Sequence, residues 1–385
     1  MKILAIETSC DDTGVAILEN KKEKFKILAN TLASQTKIHK QWGGVVPMLA
    51  KREHQKTLIP LLEKAINKSG LTFFNRQNFN KKKKEIKAIL KREENLYRDF
   101  KKFIKTKQIP DFDAIAVTKG PGLDPCLWVG INFAKALSLY LEKPIIPINH
   151  IEAHIFSGLI TKENFKHFAL PRKIEFPALS LIVSGGHTQL ILIKKLNDYT
   201  MLGETRDDAA GECFDKIAKL LEMEYPGGPK ISQKAKEWNG NSSFSFPRPM
   251  LNHDNLDFSF SGLKTAVLYH LKKIPELTEN KKREIAYEAQ EAITDVLTIK
   301  TIKAVKKYNV KTLIVGGGVS ANQRLRKKIK EKIEKEKNPP TLILPLKNIT
   351  TDNALMVGIT ALYKYNKEKT LNIKNLKSDP NLRIE

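Results

Sequence analysis

KILAIETSCDDTGVAILE, residues 2–19, sets an apolar run, a polar turn and a second apolar run in immediate succession. KILAIE and VAILE read as short strands and TSCDDTG as the turn between them. The pattern returns at 178–194, ALSLIVSGGHTQLILIK, where the turn is GGHTQ. A third relative lies at 312–329, TLIVGGGVSANQRLRKKI, in which a strand meets three glycines and then a helix with Asn322 near its start. Any one of these turns reads equally as an ordinary tight hairpin. Two hairpins about 175 residues apart point further, to a duplicated, two-lobed molecule with a ligand in the cleft between its halves. Backbone amides of such Gly/Ser/Thr turns suit phosphates or another polar ligand.

Between these landmarks helices and strands alternate, so the class is α/β. FDAIAVTKGPG is a strand running into a Gly-Pro turn, and LWVGINFAKALSLYLEKP an amphipathic helix ended by Pro144. A long helix covers 283–307, and TTD opens a last helix, NALMVGITALYKYNK. The expected organisation is an N-terminal lobe over 1–149, a C-terminal lobe over 150–349, and a segment 350–385 whose helix returns to the N-terminal lobe. Residues 71–109 have no Gly or Pro punctuation inside them and weak apolar periodicity, and read as a partly helical insertion.

Of the 385 residues 41% are hydrophobic and 28% charged, as in a globular protein with a large core. No apolar run approaches the roughly 20 residues of a membrane helix, and the N-terminal run is too short for a secretory signal. Three cysteines without CxxC spacing argue against a disulfide framework and for a cytoplasmic setting. The net charge is +25, and residues 75–108 carry thirteen Lys/Arg against four Asp/Glu. Such a segment attracts polyanions through phosphate contacts, or is a solvated face in a lysine-rich chain.

IIPINHIEAHIFSG, 145–158, places His150 and His154 four positions apart, on one face of a helix, where both could reach one cation. A zinc-protease motif needs its glutamate at i+1. Here Glu152 stands at i+2, about 200° around the helix from His150. Asp352 in ITTDNALMVG is a candidate third ligand, although an Asp at a helix start is also a normal cap. Asp11 and Asp12 make the first turn acidic, so a triphosphate would need a cation there. Asp207, Asp208 and Asp215 surround a helix start, and EYPGGP supplies Gly227 and Gly228 in a rigid turn.

IETSCDDTGVAI, NHIEAH, LIVSGGHTQL, DDAAGECFDKIAKLL, YPGGP, FSFSGLKTAV, GGGVSANQRLR and TTDNALMVG together resemble, in order, the tRNA N6-adenosine threonylcarbamoyltransferases of the TsaD type. ETSCDDTG looks like the bacterial and organellar branch. The resemblance spans about 1–70 and 110–366 and leaves the lysine-rich insertion outside. It implies the two-lobed actin-like ATPase fold shared with Hsp70 and the sugar kinases. It also implies transfer of a threonylcarbamoyl group from threonylcarbamoyl-AMP to the N6 amine of the adenosine next to the anticodon in tRNAs reading ANN codons. By motif, His150, His154 and Asp352 match the ligands of one divalent metal ion, Fe(2+) or else Zn(2+). Ile182, Val183, Ser184, Gly185 and Gly186 match the substrate loop. Asp215, Gly228 and Asn322 match adenylate-binding positions, and Asp11 the catalytic acidic residue, with Asp12 beside it. The implied partners are tRNA, a degenerate paralogue of the TsaB type and a small P-loop ATPase of the TsaE type, with no membrane.

A sugar kinase or ATPase of the same superfold is the enzyme alternative, but has no need of the paired histidines and TTDN. A metalloprotease lacks its base, and a non-catalytic paralogue would lack the histidines.

Overall fold

The computed structural model describes residues 1–74, 79–365 and 373–384. Parts of the expected insertion (75–78) and of the C-terminal segment (366–372, 385) lie outside the described residues. The chain opens with β1 (Lys2–Glu7), β2 (Asp12–Lys21) and β3 (Lys24–Ser34), then α1 (Thr36–His39) and α2 (Pro47–Ser69). A small pair, β4 (Phe73–Phe74) and β5 (Ile109–Pro110), brackets α3 (Phe79–Ile89) and α4 (Glu94–Thr106). β6 (Ala114–Gly120), α5 (Asp124–Leu141), β7 (Ile145–Asn149) and α6 (His150–Ser157) follow. Next come β8 (Ala178–Val183), β9 (Thr188–Lys195), β10 (Asp198–Glu204), α7 (Ala210–Leu220), α8 (Gly227–Lys236), α9 (Ser261–Lys272) and α10 (Glu279–Lys307). β11 (Thr312–Gly316), α11 (Gln323–Ile333), β12 (Thr341–Ile343) and α12 (Ala354–Lys364) complete it.

Contacts divide the chain into two compact units. Unit 1 holds Met1–Lys37, Val45–Arg172 and Asp352–Arg383; unit 2 holds Ile38–Gly44, Lys173–Thr351 and Ile384–Glu385. The contact boundaries fall at 172/173 and 351/352, whereas the sequence suggests 149/150 and 349/350. The reason is α6, which continues from β7 and packs on α12 rather than on the second sheet.

Each unit carries a five-stranded sheet, ordered β3-β2-β1-β6-β7 in unit 1 and β10-β9-β8-β11-β12 in unit 2. In both, the first strand pairs antiparallel with the second and parallel with a later strand. Two α/β sheets of one topology give the duplication expected from the sequence. The central strands β1 and β8 are buried on both faces, so their apolar residues run without alternation. The outer strand β3 alternates buried and accessible positions instead.

Three sequence expectations need revision. Helix α5 is buried nearly all round rather than amphipathic, because it lies beneath α2 and α3 on β6. The insertion does have helical periodicity: α4 buries Leu96, Phe100, Phe103 and Ile104 at i, i+4, i+7 and i+8. Flanking lysines hide that stripe in the sequence. The last helix is capped not by Asp352 but by Asn353, whose Oδ1 accepts from Met356 N at 3.2 Å. Among the described residues no helix is long and apolar enough to cross a membrane.

Candidate active site

In unit 1 two helix starts and one turn bring the chemistry together. Asn149 caps α6 by accepting from Ile151 N and Glu152 N, at 2.8 and 3.2 Å. This fixes His150 and His154 on one side of the helix, with ring centroids 4.6 Å apart. β2 passes so close to the start of α12 that a Cβ on Gly14 would lie 2.7 Å from Ala354 N. Only glycine permits that approach, which sets Asp352 beside the two rings. Asp352 Oδ1 lies 3.1 Å from His154 Nε2 and 3.6 Å from His150 Nε2. One ligand atom from each of the three residues falls within 4.8 Å of the others.

The His154 ring is 1% exposed, and its Nε2 has no hydrogen-bond partner. Two imidazoles and a carboxylate converging this closely could hold a divalent metal. His150 shows the backing such ligands need: its Nδ1 lies 3.2 Å from Ser9 Oγ and 3.5 Å from Glu7 Oε2. Burial opposes charge on this ring, but the Asp352 and Glu7 carboxylates overcome it and push its pKa up to about 9. Glu7 is itself fully buried, which opposes its charge, yet the hydrogen bond with His150 holds it below the usual carboxylate range. Glu152 points elsewhere, into an ion pair with Lys364 at 2.7 Å. The position of a protease base is empty of it.

The acidic turn is pinned carbonyl by carbonyl. Ser9 O accepts from Leu123 N at 2.8 Å, and Asp11 O from Gln35 N at 3.1 Å. Cys10 O lies 2.9 Å from His54 Nε2, while His54 Nδ1 lies 2.8 Å from Thr13 Oγ1. His54 is wholly buried and acts as a strut from α2 to the turn. Asp12 opens β2 with a buried, unpartnered Oδ1. Burial, then the charges of Asp352 and Asp11, push its pKa up to about 7. Carboxylates crowded this way are stabilised by a cation.

Unit 2 gathers the glycine turns. Ile182 and Val183 are fully buried strand residues, so only Ser184, Gly185 and Gly186 of the expected loop are accessible. Ser184 N donates to His187 O and Ser184 Oγ accepts from His187 N, closing the turn. A Cβ on Gly211 would stand 2.5 Å from Ser184 O, so α7 begins directly against this loop. Asp215 Oδ1 accepts from Gly227 N and Gly228 N at 2.6 and 3.3 Å, locking the start of α8. Asn322 caps α11 through Leu325 N and donates to Ser232 Oγ and Gln290 Oε1. Asp207 accepts from Phe260 N, Ser261 N and the hydroxyls of Ser259 and Ser261, so it caps α9.

Sequence reasoning passed over Glu7, Ser9 and His54. Glu7 carried a signal, a charge ending an otherwise apolar buried strand. His54 gave none, because a histidine on a charged helix looks like surface.

The model of the family described as tRNA N6-adenosine threonylcarbamoyltransferase (TsaD) matches residues 26–76 and 92–359. The tRNA N6-adenosine threonylcarbamoyltransferase of Persephonella marina is 42% identical over 373 residues, 96% of this chain and 92% of that protein. That of Thermosipho africanus is 41% identical over 384 residues, covering 100% of both. The protein of the same name from Bacillus cereus is 38% identical over 384 residues, 100% of this chain and 96% of its own. With a family model over most of its length and relatives this similar end to end, the chain belongs to the tRNA N6-adenosine threonylcarbamoyltransferase family.

Proposed function

We propose that His150, His154 and Asp352 hold one divalent metal ion, iron in the first place and zinc as the alternative, at the centre of this chain's activity. As a member of its family the chain is a transferase that places a threonylcarbamoyl group on adenosine of tRNA. The donor in this reading is threonylcarbamoyl-AMP. The acceptor is the N6 amine of the adenosine 3′ of the anticodon in tRNAs reading ANN codons. The observation that supports the site assignment is the convergence of one ligand atom each from His150, His154 and Asp352 within 4.8 Å, with the buried His154 Nε2 3.1 Å from Asp352 Oδ1 and making no hydrogen bond.

When bound, the metal supplies Lewis-acid polarisation and a template for the carbamoyl carbonyl. The chain's own residues do the rest. Glu7 and Ser9 hold the His150 ring through Nδ1, leaving Nε2 for the ligand side. The adenine N6 forms a bond to the carbamoyl carbon, the bond from that carbon to the phosphate oxygen breaks, and AMP leaves with the electron pair. Asp11 takes the proton lost by the amine, with Asp12 beside it. Ser184, Gly185 and Gly186 offer turn amides and a hydroxyl to the donor. Asp215 and Gly228 shape the adenylate turn, and Asn322 fixes the third one. Ile182 and Val183 support the loop from the core.

A TsaB-type paralogue and a TsaE-type ATPase belong to this reading as partners. Its setting is the cytoplasm, which suits three free cysteines, two of them buried. The test incubates threonylcarbamoyl-AMP and unmodified tRNA, with both partners, comparing wild type with His150→Ala and Asp11→Ala. Transfer should survive only in wild type; equal modification by all three overturns the site assignment.

A further inference from the structure

The lysine-rich insertion takes no part in the site above, and the family match leaves out residues 77–91. It is nonetheless a built element. Ile86, Leu90, Leu96, Phe100, Phe103 and Ile104 join the core of unit 1, with α4 packed on α2 and α3 on α5. Glu93, at the head of α4, is 1% exposed, accepts from Asn132 Nδ2 at 3.2 Å and lies 4.0 Å from Lys51 Nζ. The helix pair is therefore anchored through apolar and polar contacts alike.

What it turns outward is mainly cationic, with Glu85 and Glu94 exposed among the lysines. Lys81, Lys83, Lys84, Lys87, Lys91 and Arg92 are exposed, and none forms an ion pair among the described residues. Their neighbours Lys82 and Lys107 do, with Glu85 at 3.9 Å and Glu63 at 2.7 Å. Where α4 begins beside α2, Met48, Lys51, Arg52, Gln55, Lys56 and Asn95 line a groove of about 270 Å³. Of the nearby carboxylates, Glu93 and Glu53 already face Lys51 and Lys56 and Glu94 is exposed in the first turn of α4 beside Asn95, while Arg52 is exposed and forms no ion pair among the described residues. Cations held on rigid helices around a concavity concentrate positive potential and lose little freedom on meeting an anion.

We propose that the outer faces of α3 and α4, with the α2–α4 groove, dock the phosphodiester backbone of tRNA. The inference rests on the proposed function for its choice of polyanion: the family's substrate is tRNA, and the uncompensated cations and the amides of Gln55 and Asn95 match phosphate oxygens. An acidic protein surface would satisfy the charges, but nothing in the family reaction calls for one there.

The test measures binding of unmodified tRNA to the full chain by fluorescence anisotropy over a range of KCl concentrations. Wild type is compared with Arg52→Glu/Lys83→Glu/Lys84→Glu and with the neutral Gln triple, both checked for unchanged thermal melting and metal content. The Glu triple should raise Kd about tenfold or more at low salt, and lower the slope of log K against log salt by about two. The Gln triple should fall between it and wild type. Unchanged affinity and slope overturn the proposal and leave a solvated lysine face or a dock for an acidic protein. Transfer by wild type is scored separately. A wild type that binds tRNA in this salt-dependent way but transfers nothing retires the catalytic reading and leaves the docking surface standing.

Discussion

The same strand order is used twice in this molecule, yet the turn after the first strand differs completely. In unit 1 it is Ser9–Cys10–Asp11 leading into Asp12; in unit 2 it is Ser184–Gly185–Gly186–His187. The first turn presents carboxylates beside two imidazoles, and so favours a cation. The second presents small residues and backbone amides, and so favours an anion. Topology is common to both units; chemistry resides in a few residues at the strand ends. Each turn is also immobilised differently, by donors reaching three successive carbonyls in unit 1 and by the closely packed start of α7 in unit 2.

The largest expected effect comes from breaking the cationic pole. His154→Ala removes the buried nitrogen proposed as a ligand and should lower metal content to near zero and transfer by about 100-fold or more, read by elemental analysis and initial rates. On the glycine side, Gly211→Val places a side chain where Ser184 O stands 2.5 Å from the Cβ position. It should cost about 1–3 kcal/mol of stability and raise KM for threonylcarbamoyl-AMP, with metal content unchanged. Loss of metal in that variant would show that the two poles are not chemically separable.

His54 sharpens the comparison further, since its Nε2 lies 2.9 Å from Cys10 O and so braces the acidic turn. His54→Asn cannot reach that carbonyl and should reduce kcat about tenfold, whereas His54→Gln restores a donor near the Nε2 position and most of the rate. Equal loss in both would reduce His54 to a packing residue.

The smallest effect concerns the cap on α9. Burial works against the Asp207 carboxylate, but hydrogen bonds from Ser259, Phe260 and Ser261 hold its pKa below the usual 3.8. A depressed folded-state pKa means stability that is present above about pH 4 and lost as pH falls through the folded value. Asp207→Ala should cost about 0.5–1 kcal/mol at pH 7, this cap being exposed. The gap from wild type should close as the pH drops below 3.8. A gap that persists in acid would mean that Asp207 acts through its shape and not its charge.

Much of this was legible in the sequence because glycines and strands are local features. The two hairpins gave the duplication, and the i, i+4 spacing of His150 and His154 gave their shared face. What escaped needed chain segments far apart in sequence. Glu7 is 143 positions from His150 by numbering, and no local pattern pairs them; only the pairing of β1 with β6, and of β6 with β7 ahead of α6, does so. Asp352 was a candidate third ligand with a helix cap as its competing reading, and the cap proves to be Asn353. Ile182 and Val183 lay within a matched loop motif, but strand burial on both faces turns their side chains into the core. The α4 stripe was masked by lysines, whose charge dominates a residue-by-residue reading even where every third or fourth position is apolar.

The most direct test of the account is the initial rate of threonylcarbamoyl transfer from threonylcarbamoyl-AMP to unmodified tRNA, by enzyme stripped of metal and then reloaded with one equivalent of Fe(2+) in the presence of the proposed partners. The rate should collapse on stripping and return on reloading in wild type, but not in Asp352→Ala. Stripped wild type that modifies tRNA as fast as the reloaded enzyme would contradict the assignment of His150, His154 and Asp352 as the working centre.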